Sequence, residues 1–259
     1  MMTYLITTKH YLKRSFSKPI EVALMTLLPV GIIIIMAMIN LNIFAEFDFD
    51  FTYRGYNVVT TVTTFFIVLM FQFMSGVYAG EFIFHDLRGA NRWRLKASPV
   101  PTSAFVFGAI TASMIFSLVS AAFVLVIVHV FFDVYVGNMI VIAPVIALAA
   151  LMSQFMGIII AMFVKKSGAI DGIIIVISFA MSSLVGGFFI TIPAPEFVRN
   201  YIIPTGVAFR AIATSSLNPV VANGQYYTIG DSFLYVGILA GATLVFGIAA
   251  FIIARRRPT

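Results

Sequence analysis

No cysteine occurs among the 259 residues, so disulfides and thiolate-held metal sites are not available to this chain. Charge is also scarce. Asp, Glu, Lys and Arg make up 10% of residues while 61% are hydrophobic, and a soluble domain of this length needs a far more polar surface. Catalytic patterns are missing as well. There is no GxxxxGK[ST], so no P-loop route to nucleotide hydrolysis, and neither GxSxG nor HExxH is present. The three histidines, His10, His85 and His129, are scattered, and no metal-ligand cluster forms around them. No Asp, Glu, Lys or Arg falls in the middle of an apolar run, where ion-coupled carriers usually need one. The chain is therefore expected to be no enzyme, to hold no cofactor, and to receive its energy from elsewhere.

What is present is long apolar sequence, with a mean hydropathy of +1.05. The runs are near-continuous rather than alternating, which makes them helices and not barrel strands. The fold expected is an all-α integral membrane protein, one domain over 1–259 with six transmembrane helices. The first span covers about Ile20 to Leu41, and about 22 residues at roughly 1.5 Å each give about 33 Å, enough to cross. Pro29 and Gly31 sit mid-span, where a kink is expected. The run from Ile20 is too long for a cleavable signal peptide and lacks a small-residue cleavage site.

Ahead of it, residues 3–18 place Tyr4, Leu5, Tyr11, Leu12 and Phe16 on one side of a helical wheel and Lys9, Lys13, Arg14 and Lys18 over the other. This pattern predicts an amphipathic helix lying on the membrane surface, with its basic groups toward anionic lipid heads. Span two runs from Val58 to Gly80, span three from Thr102 to Phe131, span four ends near Val164, span five covers 170–190, and span six runs from Asp231 to Ala254. The first half of span three is rich in Ser, Ala and Gly, including Ser103, Ala104, Gly108 and Ala109, which marks a close-packing face. His129 and Asp133, four apart at its far end, read as a helix-end contact. Between spans five and six, 191–229 carries Pro193, Pro195, Pro204 and Pro219 with apolar stretches too short to cross. It reads as two short helices forming a re-entrant outer hairpin.

One polar block interrupts this apolar chain: EFIFHDLRGANRWRLKASPVP, Glu81 to Pro101, between spans two and three. Pro99 cannot continue a helix and Ser98 can cap the next one, so the block forms a rigid elbow. Basic residues fix the orientation. Of 16 lysines and arginines, all but Arg54, Arg199 and Arg210 fall in segments that share one side if the N-terminus is cytoplasmic. The positive-inside rule then puts both termini and the block 81–101 in the cytoplasm of a multi-pass plasma-membrane protein. The net charge of +6 needs no nucleic acid, because the basic residues lie beside span ends.

The block resembles the coupling segment of the membrane (permease) subunits of type-2 ATP-binding-cassette exporters. In that family an acidic residue ends the second span, a glycine and a short helix follow, and a leucine-rich step leads into Ser/Thr-Pro-Val. Glu81, Gly89, Leu95, Ser98, Pro99 and Val100 fill these positions, although this block is basic where the family often carries acid. Pro204-Thr205-Gly206-Val207-Ala208 is similar to the proline-led step of the family's hairpin. The resemblance covers the whole chain. It implies a bacterial permease working with a second permease chain, identical or different, and with cytoplasmic ATPase subunits that hold the ATP and magnesium. It assigns ATPase coupling to Glu81, His85, Arg88, Gly89, Arg92, Arg94, Ser98 and Pro99, joined by Lys13 and Arg14 of the first helix. The Phe- and Met-rich second span and the lack of buried charge suit an amphiphilic cargo such as a drug, antimicrobial peptide or lipid-like compound. Candidate pathway residues are Phe66, Met70, Phe73, Ser113, Ser117 and Gln154; for Gln154 a bond across helices is the competing reading. A non-transporting immunity or sensor subunit, and an ion-coupled carrier, are the alternative functions.

Overall fold

The computed structural model describes residues 2–45, 52–53, 56–89, 93, 97, 100–186, 194–216 and 229–256. The chain is an all-α integral membrane protein, and among the described residues six helices are long and apolar enough to cross a bilayer. Helix α1 covers Met2–Phe16 and α2 covers Pro19–Ala45, with proline in the first turn of α2, where its missing N–H costs nothing. A two-residue hairpin, β1 (Thr52–Tyr53) with β2 (Tyr56–Asn57), leads into the second span. That span is built from α3 (Val58–Met74), α4 (Gly76–Ile83) and a π-helical turn, Phe84–Arg88. The third span is α5 (Thr102–Phe132), the fourth α6 (Met139–Phe163) and the fifth α7 (Gly168–Val185). A second π turn, Val198–Ile202, and α8 (Pro204–Ser216) precede the last span, α9 (Ile229–Arg256).

Local chemistry sets the ends. Helix α5 stops at Asp133, whose φ of 48° is left-handed, and the His129 ring Nδ1 lies 2.8 Å from the Val134 carbonyl across that stop. Asn138 caps α6 by accepting the Ile140 N–H at 3.0 Å. Gly186, at φ 86°, closes α7 and donates to the Ser182 carbonyl.

Helix α2 continues through Pro29, and the second span has an irregular point at Ser75. There the Ser75 hydroxyl donates back to the Gln72 carbonyl at 2.6 Å, a contact that bends helices. The second span does not end at Gly80 but stays helical to Arg88, because Phe82, Ile83 and Leu87 are still buried. The N-cap of α5 is Pro101 rather than Ser98, which lies outside the described residues.

The second span is the axis of the bundle: 78% of its apolar window is buried, against 17% for α2 and for α9. In a bilayer, helices gain little from leaving lipid for one another, so they are held by close contact and internal hydrogen bonds. Gly76 and Gly80 of α4 lie against Gly157 of α6, and a Cβ at Gly157 would overlap the Gly76 backbone. Ser153 seals the same crossing. Its hydroxyl accepts the Gly76 N–H at 2.7 Å and donates to the Phe73 carbonyl. Gln154 donates to the Ser75 hydroxyl at 3.0 Å, and the Ser117 hydroxyl donates to Gln72 at 2.5 Å. The break at Ser75 is thus covered by side chains from the fourth span.

Candidate functional site

The elbow end of the second span carries most of the described charge network. Its geometry follows from α1. A stripe at four-residue spacing, Thr7, Tyr11 and Ser15, is buried, and Thr7 donates to the Ala104 carbonyl of α5 at 3.2 Å. The small residues that open α5 therefore hold α1. Leu5, Ile6 and Phe16 remain exposed, whereas Tyr11, expected on that same face, turns into the protein.

Tyr11 donates to Asp86 Oδ2 at 2.6 Å, and Arg14 Nη1 reaches Asp86 Oδ1 at 3.3 Å. Asp86 is 8% exposed, with the Arg14 guanidinium 4.9 Å over the Phe82 ring beside it. Burial, then the bond to Asp86, pushes the Tyr11 phenol well above its ordinary pKa. One turn earlier Glu81 accepts from Lys18 Nζ at 3.2 Å, and Lys18 also pairs with Glu21. Burial pulls the Lys18 pKa down, but the bond to Glu21 and the charge of Glu81 more than offset it, so the net shift is upward. Asp171, in the first turn of α7, is electrostatically coupled to both Glu81 and Glu21.

Arg88 faces the other flank. Its Nη1 donates to the carbonyls of Ala161 at 2.9 Å, Met162 at 3.2 Å and Val164 at 2.7 Å. These are unfilled acceptors at the C-terminus of α6, where the helix dipole also favours a cation. Gly89 closes the π turn by donating to the Phe84 carbonyl at 3.0 Å. A Cβ there would stand 2.5 Å from the His85 carbonyl, which is why the position takes glycine.

The structure thus brings Glu81, Arg88, Gly89 and Arg14 into one assembly, with His85 half-buried against Phe84. Lys13 is exposed on α1, away from these contacts. Arg92, Arg94, Ser98 and Pro99 lie outside the described residues; Trp93 and Ala97 between them are exposed. A block expected to face water as a whole is therefore divided: its first eight residues are helix clamped to the protein. Phe66, Met70, Phe73, Ser113, Ser117 and Gln154 are all buried inside this one chain. Phe66 stacks on Phe209 at 3.8 Å, and Gln154 makes its bond across helices. Tyr11, Asp86 and Lys18 were not among the sequence candidates for the site. The hydroxyl-bearing stripe at 7, 11 and 15 was the available signal.

The model of the ABC-2 type transporter family matches residues 7–217. The chain belongs to that family. No curated protein matches it. As an ABC-2 membrane domain it is a permease subunit, and such subunits normally pair with a separate ATP-binding-cassette ATPase. The matched stretch includes both clamps of the elbow, so the site described above belongs to the family domain and not to an appendage.

Proposed function

We propose that this ABC-2 permease moves an amphiphilic substrate (a drug, an antimicrobial peptide or a lipid-like compound) outward across the plasma membrane of a bacterium. ATP and magnesium are held by a cytoplasmic partner ATPase, which docks on 81–101 and the basic face of α1. Two permease chains assemble with the ATPase subunits among membrane lipids, with both termini of each chain cytoplasmic. No catalytic group is contributed by this chain.

The observation that carries this reading is the double clamp on the end of the second span. Asp86 ties it to α1, and Arg88 ties it to the end of α6. A push on the elbow therefore moves α1, α4 and α6 together, pivoting where the second span is irregular at Ser75. An apolar cargo fits the mid-membrane chemistry, because the buried polar groups there are the neutral side chains Gln72, Ser75, Ser117, Ser153 and Gln154, bonded across helices, with no Asp, Glu, Lys or Arg among them to couple to an ion gradient.

The test is ATP turnover by the ATPase with and without this chain, together with uptake of labelled amphiphile into inside-out vesicles. Turnover that rises with the chain, and uptake that needs ATP, are expected. Uptake driven by an ion gradient without ATPase, or coupled turnover with no cargo moved, would refute transport by this route. The cysteine-free sequence allows Ala97→Cys as a single probe, expected to resist impermeant thiol reagents in intact cells.

A further inference from the structure

Three basic residues stand outside the positive-inside pattern, and two of them, Arg199 and Arg210, meet at one cavity. It measures about 80 Å³ and is lined by Phe66, Val185, Asn200, Gly206 and Phe209 besides the two arginines. It lies at the end of the bundle opposite the elbow, since α7 begins beside Gly80 and ends at Val185. Arg210 donates through Nε to Asn200 Oδ1 at 3.2 Å, and Asn200 Nδ2 donates to Glu196 Oε1 at 3.4 Å. Asn200 is buried and Glu196 exposed, so this chain of bonds orients Arg210 without neutralising it. Among the described residues no carboxylate forms an ion pair with either guanidinium.

Arg199 and Arg210 are both half-buried and both line this cavity; cations that share an apolar cavity repel each other and lose hydration, and an anion bound there removes both penalties. The fork of a guanidinium matches carboxylate and phosphate oxygens two at a time, and with its Nε committed to Asn200 Arg210 still has both terminal nitrogens to offer. The cavity has room for a head group but not for a whole amphiphile, given about 30 Å³ for one water in the liquid. The stacked pair Phe66 and Phe209 forms its apolar wall.

We infer that this pocket takes the anionic head, a phosphate or carboxylate, of an amphiphile whose tail lies outside the cavity. The inference rests on the proposed transport of amphiphiles and narrows their class to acidic ones.

The test uses the purified full chain in a neutral detergent with three probes. They are dodecyl phosphate, dodecylphosphocholine, which has the same tail but a zwitterionic head, and inorganic phosphate, which has no tail. Dodecyl phosphate is expected to bind saturably, at least about tenfold tighter than either other probe and more weakly as salt rises. Arg199→Gln should weaken it about tenfold, and Arg199→Lys by less. Arg199 supports no other group among the described residues, so the first variant is expected to fold. Unchanged affinity in Arg199→Gln, or equal binding of dodecylphosphocholine, overturns the inference. Equal binding of inorganic phosphate would make this a free-anion site and overturn the amphiphile. Turnover of the wild-type chain with its ATPase is measured in parallel. Coupled turnover without dodecyl phosphate binding rejects the pocket and leaves the permease reading standing, whereas uncoupled turnover rejects that reading itself.

Discussion

Replacing Asp86 with leucine tests the clamp between α1 and the elbow most directly. The carboxylate accepts from Tyr11 at 2.6 Å and from Arg14 at 3.3 Å, so Asp86→Leu strands a buried hydroxyl and one cation. A hydrogen bond to a charged group contributes about 1.5–3 kcal/mol. Arg14 is 28% exposed, so water screens its share to about 1 kcal/mol or less. Together the loss comes to about 3 kcal/mol, which corresponds to about 100-fold in the equilibrium for α1 lifting away. Asp86→Asn keeps an acceptor for Tyr11 and gives up only the charge, at about 1 kcal/mol or roughly fivefold. Amide hydrogen exchange of residues 2–16 in nanodiscs reads this local opening. Protection of α1 should fall in that order, with Asp86→Leu the larger, while the α5–α6 peptides hold theirs. If α1 exchanges at the wild-type rate in Asp86→Leu, its packing on α5 through Thr7 and Ser15 holds it alone. The elbow then cannot pull it, and the reasoning fails.

Four further outcomes are expected. Arg88→Gln strands the Ala161, Met162 and Val164 carbonyls, so turnover stimulated by the permease should fall several-fold, with Arg88→Lys recovering part of it. Equal losses in both variants would show that the fork, not the charge, is what matters. Gly157→Ala forces a methyl into the Gly76 backbone and should lower stability by about 1–3 kcal/mol in thermal melts, while Gly31→Ala, with nothing near its Cβ, should be silent. Because the Tyr11 phenol is raised, its contribution is complete below the ordinary phenol range and is lost as pH climbs through the folded value. Ultraviolet titration should show an ionisation step that comes only with alkaline unfolding, and Tyr11→Phe should reduce its amplitude by one tyrosine. Gln154→Leu breaks the bond to Ser75 at 3.0 Å and should cost about 0.6 kcal/mol, near the average for hydrogen bonds between membrane helices, seen as a small drop in melting temperature.

The spans were legible because a bilayer imposes a length and a polarity that any apolar run must meet, and each predicted span corresponds to an observed helix. The amphipathic start and the elbow were legible because charge is so rare elsewhere that Lys9 to Lys18 and Glu81 to Lys96 stand out. The partners were not. Tyr11 shares its wheel face with Leu5 and Phe16, and only its partners Phe82 and Asp86 on the second span show why it turns inward. Asp86 looked like one more charge in a polar block, because nothing in its neighbours along the chain names Tyr11 or Arg14. The small residues of span three did announce a close contact, but not that its occupant is α1. The close approach of Gly76 and Gly80 to Gly157 is not visible among 18 glycines.

By itself the sequence settled what a hydrocarbon slab and a charge bias dictate: helices, their number, and where polar chain must emerge. The tertiary structure decided which buried donor meets which acceptor. That pairing depends on helix rotation and crossing, and residues 72 to 97 positions apart along the chain supply the two halves of the α1 clamp, the Arg88 clasp and the Ser153 seal.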